Sequence, residues 1–548
     1  MSGTRAGCLS PATALRYPVA MRLLKAVVLS AGLLAVSCGQ DIDSLDQSER
    51  LATATAEATA APAFVNWPSY GRDLANTRTN PTETTIGPAN ASLLRQKWRF
   101  ALGTLAVTST PAIYEGNVYF NSWNGSSYAL NARTGALVWQ SLLQLPQGDG
   151  LAAQISSSPA VTADAVYVTA DAAEVFKLDR RNGRVLWKSK VDSSRATRLW
   201  SSPVVVGDLL IFGIGSYQVF TAEGLCGISG EFSFRGSVVG VDTATGQVRW
   251  RVYVAPPGNF GVSVWSSAAV DTVRKLAFIG TGQGYTEPAS PLSDSLIAIR
   301  YDTGQLAWSH QFTADDVWSL GGTQKEDFDV GASPNLFRIG TQDVVGVGDK
   351  AGNYYTLDRD TGAIVWSKAL TPGSHLGGVL ATTAYANDSI YVASNEGIES
   401  LTEDPLCFLE IELARPKAAD VISLDARTGV ERWRKRVTPG VFGGITIANG
   451  VAYFTTVDGY VHALAATDGR QLWKYKAGIS TGGGVTVSGG MLFVGTGWNW
   501  IVSPPGSLVA FELGKCNAAA CPACVLGQAR CCNTLLDRCG CDTLGVCL

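Results

Sequence analysis

The sequence predicts an all-β, eight-bladed propeller, and two repeats carry that expectation. The first is a six-residue stretch ending in tryptophan that occurs seven times: Thr134–Trp139, Asn182–Trp187, Thr245–Trp250, Thr303–Trp308, Thr361–Trp366, Thr428–Trp433 and Asp468–Trp473. Each sets a glycine four residues before the tryptophan, and pairs such as Leu178-Asp179, Leu357-Asp358 or Leu424-Asp425 precede it, so the unit reads strand, glycine turn, strand. Recurrence every 40 to 67 residues is the period of an all-β repeat with loops of varying length.

The second repeat is a small-residue lead-in to a β-branched strand. It occurs eight times: Ser109-Thr110-Pro111, Ser157-Ser158-Pro159, Ser201-Ser202-Pro203, Ser266-Ser267-Ala268, Ala332-Ser333-Pro334, Gly377-Gly378-Val379, Gly443-Gly444-Ile445 and Gly482 to Gly484. Eight lead-ins against seven tryptophan stretches leave one blade incomplete. Trp98, in Lys97-Trp98-Arg99-Phe100, supplies the missing outer strand, so the N-terminal strand closes the last blade and no sheet edge is left to join. Small side chains suit the lead-ins because the innermost strands crowd around one axis.

In chain order, Met21-Arg22-Leu23-Leu24-Lys25, the apolar run Ala26 to Leu34 and Ala35-Val36-Ser37-Cys38 form an export signal. The cysteine after small residues resembles a bacterial lipobox, with an ordinary signal peptide as the alternative. Residues 1–38 are therefore expected to direct export, to the periplasm or to the outer membrane or cell surface as a lipoprotein. Residues 39–65, rich in Ala, Thr, Ser and acidic residues, read as a tether, and residues 66–514 as the propeller. Cys226 and Cys407 lie in two long insertions, paired with each other or free as buried thiols. Residues 515–548 hold eight cysteines and read as a small disulfide knob, with a zinc knuckle at Cys521-Pro522-Ala523-Cys524 as the rival. No cysteine belongs to a CxxCH arrangement, so covalent haem is not expected. A net charge of −3 without a basic block argues against nucleic acid. No apolar run beyond the signal has transmembrane length, which leaves a lipid anchor as the expected membrane attachment.

The tryptophan stretches resemble the docking motif of quinoprotein alcohol dehydrogenases, propellers that bind pyrroloquinoline quinone (PQQ) on the axis. Trp67 to Arg78, followed by Leu94-Arg95-Gln96-Lys97-Trp98, looks most like the polyvinyl-alcohol dehydrogenase branch. The resemblance implies oxidation of an alcohol, with a polymeric secondary alcohol among the candidates, and electrons leaving to an external acceptor such as a cytochrome. Non-enzymatic outer-membrane assembly lipoproteins share the motif, and a scaffold with an envelope protein partner is the alternative. PQQ needs a stacking face, cations for its carboxylates, a Ca2+ with oxygen ligands and a carboxylate base. Trp265, eighteen residues before Gln283, matches the stacking tryptophan, and a core tryptophan is the plain alternative. Lys350 matches the cation at the quinone oxygens. Ser157, Ser216, Asn395 and Phe442 fall where the family contributes further cofactor contacts. Gln218 and Gln283 stand at the calcium-ligand positions, with less charge than a hard cation favours. Ser319 falls where the catalytic Asp is expected, which leaves Asp316, or its neighbour Asp315, as the substitute base.

Overall fold

The computed structural model describes residues 61–514 except 104, 146–153, 195, 221–231, 320–325, 397–415 and 499–503, and beyond them only two short paired strands, Cys531–Asn533 and Arg538–Gly540. The export signal, the tether up to residue 60, Cys226, Cys407 and the side chains of the C-terminal cysteines lie outside the described residues. Among the described residues no helix is long and apolar enough to cross a membrane.

The chain forms eight antiparallel blades. Seven are built from consecutive strands, as in blade 1 (Ala112–Tyr114, Asn117–Ser122, Ser126–Asn131, Leu137–Leu142). The eighth takes Thr486–Ser488, Met491–Gly495 and Ser507–Leu513 from the C-terminal end and its outer strand, Leu94–Ala101, from the N-terminal end, with Trp98 opposite Ala510. The expected closure is therefore present.

The repeated turn explains the tryptophan stretch. Its pattern is Asp or Asn, two residues, Thr, Gly, as in Asp242-Thr243-Ala244-Thr245-Gly246 of blade 3. There the Asp242 carboxylate accepts bonds from the backbone N–H of Ala244 and Thr245 and from the Thr245 hydroxyl. Asn131, Asp358 and Asp425 repeat the arrangement. The turn delivers the glycine at φ between 69° and 74°, a region where a side chain is strained. The glycine is needed for a second reason: a Cβ on Gly304 would lie 2.7 Å from Trp250 of the preceding blade, and one on Gly362 would lie 2.6 Å from Trp308. Each indole also donates to a carbonyl of the next blade, as Trp250 does to Tyr301 (2.8 Å) and Trp98 to Ala132 (3.1 Å). Trp473 closes the ring by donating to Leu94 O (2.9 Å).

The lead-ins hold the inner end of the ring. The N–H of Thr110 donates to Ser158 Oγ, that of Ser158 to Ser202 Oγ, that of Ser202 to Ser267 Oγ and that of Ser267 to Ser333 Oγ, at 2.8 to 2.9 Å. The chain of bonds continues from Ser333 N to Thr382 Oγ1 at 3.3 Å. In blade 6 the lead-in is thus Ala381-Thr382-Thr383, before the inner strand Ala384–Ala386, and not Gly377-Gly378-Val379; Gly378 instead exchanges backbone bonds with Asn395.

Residues 65–80 run along the inner strands as a strap. Its carbonyls accept from inner-strand N–H groups around the axis: Pro68 from Val161, Leu74 from Val270, Ala75 from Leu336, Thr77 from Tyr385 and Arg78 from Ile447, at 2.7 to 3.0 Å. The fully buried Arg78 donates to the carbonyls of Tyr70 (2.6 Å), Ile445 (2.8 Å) and Gly444 (3.4 Å) and to Thr446 Oγ1 (3.1 Å). Its guanidinium explains why blades 7 and 8 lead in with glycine where others have Ser or Thr. A Cβ on Gly444 would meet Arg78 Nε at 2.7 Å, and one on Gly484 would meet Arg78 Nη2 at 2.4 Å. Arg78→Leu is expected to leave these carbonyls without donors and lower stability by about 2–4 kcal/mol, read as a fall in the urea midpoint without a change in slope.

Candidate functional site

The residue two places before each hydroxyl of the lead-in ring, or before the glycine that stands for it, is half-exposed in seven of the eight blades, while the two residues after it are buried. This alternation follows from the two-residue period of extended chain and makes an axial rim. Trp200, Trp265, Leu380 and Phe442 are its bulky members. Thr108, Ser156, Gly331 and Gly482 are its small ones. Gly331 is the buried member because the edge of Trp265 lies on it: a Cβ there would be 1.7 Å from the indole. Trp265 is therefore fixed at the rim rather than enclosed in the core.

Beside it lies a buried charge cluster. Lys350 Nζ is 5.9 Å from the Trp265 ring centroid, 2.8 Å from Asp327 Oδ1 and 2.5 Å from Asp329 Oδ2. Asp329 also accepts from Gln283 N (2.7 Å), and its carbonyl accepts from Lys350 N (3.0 Å), so it is held from two blades. His375 Nδ1 stands 3.5 Å from Asp327 Oδ2, and its ring packs on Trp318 at 5.0 Å. Burial works against the Lys350 ammonium, but the two carboxylates outweigh it and raise its pKa above the ordinary value. Burial also pushes Asp327 up, yet Lys350 and His375 overcome this and hold it below the carboxylate range. For Asp329 burial wins over Lys350, so its proton affinity is raised. The pair thus contains one settled anion and one carboxylate disposed to take a proton.

Asp316 is fully buried. Its Oδ2 accepts from Phe328 N at 2.9 Å, and burial, reinforced by Asp327 and Asp329, raises its pKa to about 8. Its carboxyl is thus spent on the backbone behind the centre, and the carboxylates brought to Lys350 are Asp327 and Asp329. Asp315 is exposed, with φ of 61°. Ser319 is buried, and its hydroxyl has no hydrogen-bond partner among the described residues. Asp327 and Asp329 went unnoticed in the sequence; the signal was their place in Asp327-Phe328-Asp329-Val330, immediately before the rim and the Ala332-Ser333-Pro334 lead-in.

The remaining expected contacts are committed elsewhere. Ser157 donates to Thr169 O (2.7 Å) and Asn395 makes bonds in both directions with the Val441 backbone (3.0 and 2.8 Å), so both serve to hold the framework. Ser216 Oγ accepts from Gln218 N (2.9 Å). Phe442 does lie on the rim, edge-on to Trp498 at 5.1 Å. Gln218 Oε1 accepts from Ser233 N and Phe234 N, and Gln283 Nε2 lies 3.4 Å from Trp318 O. As arranged, these two glutamines do not form a calcium cage: Lys350 already occupies the carboxylates, and among the described residues no group of three or more His, Cys, Asp or Glu converges to hold a metal. No step through a metal follows. A planar anionic quinone fits better, because the site offers an indole fixed at the rim beside a charged lysine.

A ring of tryptophan-docked blades around a Trp–Lys–carboxylate centre defines a quinoprotein-type propeller. Residues 88–225 and 350–514, together more than half of the chain, match the family model described as outer membrane protein assembly factor BamB, and residues 201–372 match that of the glucose/ethanol/alcohol dehydrogenase β-propeller domain. The chain belongs to the PQQ-repeat propellers, as a PQQ-dependent alcohol dehydrogenase-like member. It is similar to a polyvinylalcohol dehydrogenase of Pseudomonas sp., 27% identical over 448 residues, covering 75% of this chain and 67% of the relative. A polyvinylalcohol dehydrogenase of Sphingopyxis sp. (strain 113P3) is 26% identical over 438 residues, covering 71% and 64%. The chain thus spans about two thirds of the length of these relatives. The structure of quinohemoprotein alcohol dehydrogenase ADHIIG from Pseudomonas putida HK5 aligns over 82% of this chain and 80% of that one, with a TM-score of 0.67 at 20% identity, and shares the fold.

Lys350→Met removes the ammonium that contacts both Asp327 and Asp329 and is expected to cost about 3–5 kcal/mol at neutral pH. Without the lysine both carboxyls hold protons above their unfolded values, so stability falls as pH rises from about 4. Thermal unfolding across pH should show the deficit nearly vanishing at the acid end.

Proposed function

We propose that this protein is a PQQ-binding quinoprotein that oxidises an alcohol, with a polymeric secondary alcohol as the substrate class and an external acceptor such as a cytochrome. One observation carries the reading. The stretch matching the dehydrogenase propeller, residues 201–372, contains Trp265, Gln283, Asp316, Asp327, Asp329 and Lys350, and the fold gathers Trp265, Lys350 and both contacting carboxylates into one centre. The polymeric substrate rests on the likeness to two polyvinylalcohol dehydrogenases.

PQQ, when bound, supplies the two-electron acceptor. Trp265 would hold its plane and Lys350 its negative oxygens. Asp329 takes the alcohol proton: its Oδ1 is fixed by Gln283 N, its Oδ2 faces Lys350, and its raised proton affinity suits a general base. Asp327 keeps Lys350 charged and oriented. Export and lipid attachment through Cys38 complete the proposal, on the strength of residues 21–38.

The scaffold reading has its own support, since blades outside the central stretch match the assembly-factor family. Reconstitution with PQQ, followed by absorption and dye reduction with alcohols, separates the two. Retained PQQ that is lost in Trp265→Ala and Lys350→Ala supports the dehydrogenase. Asp329→Asn is expected to keep PQQ and lose turnover by about 10²–10⁴-fold. Protein that retains no PQQ would sink the enzyme and favour the scaffold.

A further inference from the structure

Behind the Asp329–Lys350 contact lie two buried carboxyls that the proposed reaction does not use. Asp294 is 0% exposed, and among the described residues neither of its oxygens receives a well-aligned hydrogen bond, the adjacent Ser293 hydroxyl being the one donor close enough to favour its anion. The neighbouring Ser293 hydroxyl donates to Ser290 O at 3.0 Å instead. Asp316 is also 0% exposed, and its Oδ1 has no hydrogen-bond partner among the described residues. Both are attached to the segment Gly282–Gly284 that holds Asp329: Asp294 N donates to Gly282 O (3.2 Å), Gln283 N to Asp329 Oδ1 (2.7 Å) and Gly284 N to Asp316 O (3.2 Å). Asp316 Oδ2 further grips Phe328 N, the peptide between Asp327 and Asp329.

The charged and titratable groups that face this pair are Asp327, Asp329, Lys350 and, through Asp327, His375. Lys350 offsets one negative charge of the Asp327–Asp329 pair. Ionising Asp294 and Asp316 as well would place four buried carboxylates around one ammonium, and Asp294 would be an anion with only the adjacent Ser293 hydroxyl to answer it. Buried carboxyls in that position neutralise rather than ionise.

We propose that Asp294 and Asp316 are held as neutral carboxylic acids: Asp316 fixes through its carboxyl the peptide that leads to Asp329, Asp294 holds Gly282 through its backbone N–H, and neither adds negative charge behind Lys350, so that an anionic ligand can approach the Trp265 rim. The last clause rests on the PQQ reading; the protonation does not. Burial and the facing aspartates raise both groups, Asp316 to about 8. The sign follows. Each keeps its proton in the folded chain through the range where the unfolded chain loses it, so both lower stability as pH rises from about 4, Asp316 up to about 8.

Three measurements test this on the full chain. In thermal unfolding, Asp294→Asn and Asp316→Asn should each gain on the native protein as pH rises above about 4, the gain of Asp316→Asn levelling off at about 8, whatever constant offset the amide introduces. Infrared spectra of the native protein at neutral pH should show the carbonyl band of a protonated carboxyl that weakens in either variant and loses the Asp316 share as pH passes about 8. Quenching of tryptophan fluorescence by added PQQ should weaken roughly tenfold between about pH 7 and about pH 9 in the native protein, and much less in Asp316→Asn. Parallel stability curves with no acid band would overturn the proposal, as would Ca2+ that raises the melting temperature of the native protein but not of Asp294→Asn, because the carboxylates would then be ionised around a cation. An acid band without PQQ quenching at any pH would support the neutral pair and overturn the cofactor reading.

Discussion

The structure depends on one contact made eight times around the ring: a tryptophan of one blade reaching the next. In seven cases its face lies on a glycine that has no room for a Cβ, and in all eight its indole N–H finds a carbonyl. The contact is local in chemistry and global in effect. It buries a large aromatic surface, satisfies a polar group that would otherwise be stranded, and fixes the spacing of neighbouring blades. The Asp or Asn ahead of most Thr-Gly pairs makes it reproducible, because its side chain shapes the turn that presents the glycine. The ring can close only if the last blade receives a tryptophan from elsewhere, and Trp98 meets that requirement.

A ring held from outside leaves its centre under different constraints. On one level Arg78 fills the space that Gly444 and Gly484 leave open, and its donors answer carbonyls of the lead-ins. Two residues along the lead-ins, the rim side chains are no longer needed for blade contacts and differ from blade to blade. Specific chemistry gathers there because packing does not dictate the residue. The lysine, its carboxylates and the amide that holds Asp329 come from blades 4 and 5 and the chain between them, and the docking tryptophans set the order of those blades in the ring.

This division explains what could be read from the sequence. The blades were legible because their determinants are short-range: the glycine, its acid and the tryptophan fall within about ten residues. The local surroundings of Trp265 and Lys350 singled them out, and the fold places them 5.9 Å apart at the rim. The place of Asp329 beside Lys350 was not legible: the tryptophan at 318 draws attention to Ser319, while the carboxylate that meets the lysine lies ten residues later, two residues before the next rim position. Ser157 and Asn395 misled for a physical reason: polar side chains at the inner ends of strands also serve as bonds within the framework, and sequence cannot tell a spent hydroxyl or amide from an open one. The glycines of blades 7 and 8 read as simple crowding, whereas it is Arg78, more than 360 residues away, that occupies their space.

The centre also shows how a propeller can hold a charged site in a buried interior. Lys350 would be costly alone, and Asp327 and Asp329 would be costly without it. Together they form a unit whose net charge depends on protons held nearby. Asp327 is pinned by Lys350 and His375 and stays an anion; Asp329, with a backbone donor and a shared lysine, is left with the greater tendency to accept a proton. That difference arises from position alone, between two identical side chains two residues apart. Their two-residue spacing brings both to the same lysine while Phe328 between them ties the segment to Asp316. The separation of roles is therefore a consequence of the chain leading into blade 5, and the rigidity that preserves it comes from the tryptophans at the far edge of the ring.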